Sequence, residues 1–310
     1  MNKFYKLRSF IDESKLKYEY LCSNTHPYAI YLIEKYLEQN SENVKSLCWY
    51  KLSSNPSAVY LLKKYSNLID WRSFCLNPNR EIIDILIENQ DKIDWYLICE
   101  NPNFIDLIEN ELDKNEFINI NPNWLASNSN TLHLIKKYID HIDDWFQISI
   151  NPSCIEIIEN NLDKVNFTSL SLNTNAVHLC IKNIDKIDLF WFSNNPASIK
   201  YLEKNKDKIN FNGLSGNIYG IHLLKNNKDK INWKVLSSNP EAIELLEENQ
   251  DKIDYFEFSR NPSIFTYNYE EIRNHLMSTI FEELMKKFWH PSNFMKWSQF
   301  GFDDQEMEID

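Results

Sequence analysis

The sequence predicts an all-α protein: a right-handed α-solenoid of about 22-residue repeats, each with one α-helix and one short or 3₁₀ helix, and with N- and C-terminal caps. Three observations predict it. The first is a period. Eight of the ten prolines follow asparagine, and aligning on that Asn gives Asn24, Asn55, Asn77, Asn101, Asn128, Asn151, Asn173, Asn195, Asn217, Asn239 and Asn261. The last six gaps are 22 or 23 residues, and fixed periods of this size mark repeat architectures. The second is a pair of apolar columns. Three residues before each Asn stands an apolar residue such as Leu21, Phe74, Ile148 or Leu236, and six before most of them a large ring or Leu, as at Trp49, Trp71, Trp95, Trp145, Phe211 and Trp233. The third is the helical pattern after the Asn. In Asn239-Pro240-Glu241-Ala242-Ile243-Glu244-Leu245-Leu246, the Asn is a strong N-cap, the Pro suits the first helical position, and Ala242, Ile243, Leu245 and Leu246 form one stripe.

The elements follow in order. Residues 1–17 are irregular and are expected to form the N-terminal cap, with Phe4, Phe10 and Ile11 covering the first repeat. Residues 18–265 hold ten to eleven units. In each, the ring and the apolar residue three later lie on one side of a short helical turn. A helix of about nine residues then ends at a second Asn (Asn89, Asn161, Asn183, Asn205, Asn227 or Asn249), read as a left-handed C-cap. An Asp-Lys pair turns the chain, as at Asp91-Lys92 and Asp251-Lys252. Neither helix buries its face alone, but stacked units do. Insertions fall near Gln39-Asn40-Ser41-Glu42-Asn43 and near Asn119-Ile120-Asn121-Pro122-Asn123. Residues 266–302 form a C-terminal helical cap, with one longer helix from Tyr269 to Phe288 and a short one around Phe294–Trp297. Residues 303–310 are an acidic tail. The main rival is a β-horseshoe of leucine-rich repeats, but Ser, Cys and Asn flank the Leu column where an alternating strand would be needed.

Composition narrows the function. The formal net charge of −12 excludes a mainly phosphate-binding surface, so no nucleic acid is expected. Only four glycines occur, which leaves no glycine-rich phosphate loop. No apolar run approaches the ~20 residues of a membrane span, and the first residues lack a signal-peptide core, so a reducing intracellular compartment is expected.

The chemistry is sparse. Cys22, Cys75 and Cys99 share a column with Ser53, Ser171, Ser193, Ser215, Ser237 and Ser259, and are read as small packed residues. His133, His178 and His222 share a helix column with Tyr60, Asp106, Glu156, Lys200 and Glu244, and are read as a solvent-facing stripe. No catalytic residue, cofactor or metal site is assigned, and the chain is not expected to be an enzyme.

The two positions between ring and Leu should point outward. They read Tyr50-Lys51, Tyr96-Leu97, Phe146-Gln147, Phe190-Trp191 and Phe256-Glu257 in the aromatic-bearing units. Rings on a surface mark interfaces. Tyr50, Tyr96, Phe146, Phe190, Trp191 and Phe256 are therefore the candidate protein-binding residues, and the alternative is that these rings pack between rungs.

The unit from Trp233 to Leu246 resembles the short Asn-Pro repeats of uncharacterised proteins from mimivirus-like giant viruses. The 40 asparagines among 310 residues fit an AT-rich genome of that kind. Trp289-His290-Pro291-Ser292-Asn293-Phe294, with Gly301 and Asp303-Asp304, resembles the ending of such proteins. The alternation of helix types is also similar to leucine-rich-variant solenoids. The resemblance implies host cytoplasm or virion as location, and no assigned activity. The expected function is a monomeric, non-enzymatic protein–protein interaction scaffold, with a structural component of a viral particle as the alternative.

Overall fold

The computed structural model describes residues 4–39, 44, 47–115, 117–288 and 290. The described chain is mostly helical, with two three-residue strands. It divides into two compact bodies: a repeat body, Arg8–Ile264, and a terminal body, Met1–Leu7 with Phe265–Asp310.

Eleven units make up the repeat body. Their short helices are Tyr18–Leu21, Trp49–Ser53, Trp71–Cys75, Trp95–Glu100, Pro122–Leu125, Trp145–Ile150, Phe167–Leu170, Leu189–Asn194, Phe211–Leu214, Trp233–Ser237 and Tyr255–Phe258. Each has α rather than 3₁₀ character. Most are capped by an Asp or Asn immediately before the helix, as where Asp70 accepts from the Ser73 amide and Asn232 from that of Val235. The second helix is shorter than nine residues because it opens as a 3₁₀ turn: Pro240–Ala242 is 3₁₀ and Ile243–Glu247 is α. The Asp-Lys pair lies in another 3₁₀ turn, Gln250–Lys252. The second Asn caps the helix but is not left-handed. Asn249 has φ −133°, and its side-chain Nδ2 donates to the Leu245 carbonyl four residues back. An amide donor thus satisfies the orphan carbonyl without positive φ.

The frame asparagines hold the units together. All eleven are at most 3% exposed. Each Oδ1 accepts from the amide two residues on, as from Ser57 to Asn55 and Glu241 to Asn239. Each Nδ2 reaches back to the preceding unit. Asn173 donates to the carbonyls of Ser149 and Asn151, at 3.0 Å each, and Asn195 to those of Ser171 and Asn173. The serine column adds a second link: Ser171 Oγ accepts from the Asp188 amide at 3.0 Å and donates to the Phe167 carbonyl at 2.9 Å. Lysines make a third. Lys92 lies over Trp71, Lys164 over Trp145, Lys186 over Phe167, Lys230 over Phe211 and Lys252 over Trp233, at 4.3–5.2 Å from the ring centroids.

All three ladders close on themselves. Asn24 of the first unit donates to the carbonyls of Ser259 and Asn261 of the last, at 3.0 and 2.9 Å. Ser259 Oγ accepts from the Lys17 amide, and Lys15 lies over Tyr255. Residues 8–17 are therefore not a cap over the first unit. They complete the eleventh: Arg8 bonds to Ile264 and Ser263, Phe10 meets Phe258 at 6.4 Å, and the 3₁₀ turn Glu13–Lys15 stands where Gln250–Lys252 stands one unit earlier. The body has no exposed repeat edge for a cap to cover.

Short helices of neighbouring units, such as Leu189–Asn194 and Phe211–Leu214, pack closely against one another. The approach is tightest at Gly213, where a Cβ would lie 2.0 Å from the Phe190 carbonyl oxygen, so only glycine fits.

The core is the Leu column with the second-helix stripe: Leu52, Leu61, Leu62, Phe74, Ile98, Phe192, Leu236 and Phe258 are all fully buried. The ring column is only half-buried, and six of its rings lie under a lysine side chain rather than in the core.

In the terminal body, Tyr5–Leu7 (β1) pairs antiparallel with Phe265–Tyr267 (β2), in the register Tyr5–Tyr267 and Leu7–Phe265. The strands were not expected from the sequence. Tyr269–Phe288 is one helix, as predicted, and Leu276, Met277, Ile280, Phe281 and Leu284 are exposed on it. The expected helix near Phe294–Trp297, the acidic tail and residues 40–43 of the first insertion lie outside the described residues.

Candidate functional site

The short helices present the six predicted aromatics. The residue after the ring column points out, and the next points at the neighbouring rung. Tyr50 is 53%, Phe146 49% and Phe256 49% exposed, while Lys51 and Leu97 are buried. Trp191 breaks that rule. It occupies the second position yet is 39% exposed, turned edge-on to Phe190 at 4.8 Å. Tyr96 and Phe190 are half-buried.

Rings of neighbouring units form two clusters. At the junction of the last and first units, Phe256 meets Tyr20 edge-on at 5.3 Å, and Tyr20 lies between two cations, the Lys51 ammonium at 4.0 Å and the Arg260 guanidinium at 5.2 Å. Lys51 also reaches within 5.7 Å of Tyr50. Tyr50 and Phe256, over 200 residues apart in sequence, thereby share one cluster. Arg260 is held from behind by Glu257 at 3.1 Å.

The second cluster lies between the fourth and fifth units. Tyr96 meets Trp124 edge-on at 5.5 Å, and cavities of about 450 and 250 Å³ lie on either side of this pair. A hydrogen bond to Glu100 raises the Tyr96 hydroxyl pKa. Trp124 was not among the sequence-predicted residues. It sits in the irregular unit, where Pro122 occupies the ring column, and the 27-residue gap was the signal that this rung is built differently.

The remaining reactive groups fall outside these clusters. Burial pushes the thiols of Cys22, Cys99 and Cys180 up to about 12 and that of Cys154 to about 11. Such thiols are poor nucleophiles at neutral pH. His133, His178 and His222 are exposed, and each Nε2 meets a carboxylate of the preceding unit, Glu109, Glu159 or Glu203, at 2.7–2.9 Å. Among the described residues no three potential metal ligands converge, and no helix is long and apolar enough to cross a membrane.

No family model, curated protein or solved structure matches this chain.

Proposed function

We propose that this protein is a non-enzymatic interaction scaffold: a right-handed helical solenoid, closed into a ring, that binds a protein or extended peptide on its short-helix face. The observation that carries the reading is the exposure of Tyr50, Phe146, Trp191 and Phe256 on one side of the units. Aromatic anchors at interface centres commonly carry ~2 kcal/mol or more each. The double substitution Phe190→Ser with Trp191→Ser tests it. The variant keeps its thermal midpoint within a few degrees and loses a partner captured by the wild type; unchanged capture moves the interface to another face.

The second reading, a structural component of a viral assembly, is favoured by the exposed side chains of Leu276, Met277, Ile280, Phe281 and Leu284. It requires self-association, whereas the scaffold acts as a monomer. Mass photometry over a concentration series separates the two.

A further inference from the structure

The joint between the fourth and fifth units differs from the others. Asn128 reaches only the Asn101 carbonyl, whereas every other frame asparagine makes two bonds to the preceding unit. Among the described residues no serine-type link spans this joint either. The lysine contact is also missing here: among the described residues Trp95, like Trp49, has no cation over it, and Lys114, at the turn position that supplies the cation in other units, is exposed and makes no ring contact.

The two cavities at this joint share the Tyr96–Trp124 wall. The smaller, about 250 Å³, is also lined by Asn121, Asp144 and Gln147, and by no Lys or Arg. It is below the ~300–1,000 Å³ of small-molecule sites and has room for one long side chain. Asp144 spends one oxygen, Oδ1, on capping the Phe146 amide at 3.0 Å, which leaves Oδ2 for a ligand. Gln147 makes no side-chain hydrogen bond among the described residues. Two edge-on rings beside a carboxylate suit an ammonium or guanidinium group. The larger cavity, about 450 Å³, is lined by Trp95 and Asp91. Its lining also holds two cations, Arg72, paired with Asp94 of the same lining at 3.4 Å, and Lys92, which lies over Trp71.

We propose that this joint is a docking site for a basic, extended segment of a partner protein, with one Lys or Arg side chain held between Tyr96, Trp124 and Asp144 and a second over Trp95. The proposal rests on the scaffold reading and names its partner's chemistry. The chain's net charge of −12 favours the approach of such a segment.

Fluorescence anisotropy with fluorescein-labelled tetraarginine and tetraglutamate peptides tests it on the full chain. Asp144→Asn is the informative variant, because Asn already holds this cap position at Asn166, Asn210 and Asn232. Asp188→Asn makes the same change at the cap of Leu189–Asn194, away from the joint. Tetraarginine is expected to bind and tetraglutamate not. Asp144→Asn should weaken tetraarginine at least fivefold, Asp188→Asn less than twofold, and Trp124→Leu should abolish binding with the thermal midpoint retained. Equal weakening by the two Asp→Asn variants would show diffuse acidity and overturn the site, as would no binding at all. Neither result touches the Phe190/Trp191 test, so the scaffold reading stands or falls separately.

Discussion

Asparagine is the frame residue because no other side chain does both jobs. Ser or Asp would cap the turn, but neither can also donate two hydrogen bonds to the unit behind. Asn173→Ser keeps the cap acceptor and removes the bonds to Ser149 and Asn151. With two buried hydrogen bonds lost, although the Asn151 carbonyl keeps its bond from the Cys154 amide, it is expected to destabilise by about 1–3 kcal/mol in a urea titration. The capping half of this role was legible in the Asn-Pro pairs. The ladder was not, because a sequence displays neighbours along the chain and not the unit behind, although the strict choice of Asn over Ser was a signal. The cysteines make a second case at this scale. Their thiols are raised in the folded chain above the ordinary value near 9. The stability they confer is full below pH ~9 and is lost as pH climbs towards 12, because the unfolded chain ionises first. Unfolding midpoints measured at pH 8 and pH 11 should differ less in the Cys99→Ala, Cys180→Ala double variant than in the wild type.

The two columns of the short helix behave differently from one another. Leu236 is fully buried, while Trp233 is half-buried beneath Lys252 at 4.6 Å. Leu236→Ala should cost about 2–5 kcal/mol, and Trp233→Ala less, about 1–3 kcal/mol, although the larger side chain is lost. A thermal-melt comparison of the two decides the ranking, and a larger loss at Trp233 would return the rings to the core. Size alone would place a recurrent tryptophan in the core. The Asp-Lys pair one turn later held the correction, since a lysine at constant spacing from a ring is what a stacked cation requires. The helix caps at Asp70, Asp94 and Asp254 were legible in the same way, one residue before each ring. The strands Tyr5–Leu7 and Phe265–Tyr267 were not, because three-residue runs carry no period.

Closure is the property of the repeat body that local patterns conceal. Its trace was present: Lys15-Leu16-Lys17-Tyr18 repeats the spacing of Lys252-Ile253-Asp254-Tyr255, so the second half of a unit stands at the start of the chain. In an open stack the terminal joint frays and its bonds contribute little. In the closed one Asn24→Ser should destabilise as much as Asn173→Ser, within about 0.5 kcal/mol, in paired denaturant titrations. A markedly smaller loss at Asn24 would mean that the first and last units part readily in solution. The circuit also fixes the unit count. Open repeat arrays gain or lose a unit with a proportional change in stability. Here the first and last units are bonded to one another, so a gained or lost unit would have to be absorbed at every joint rather than at a free end.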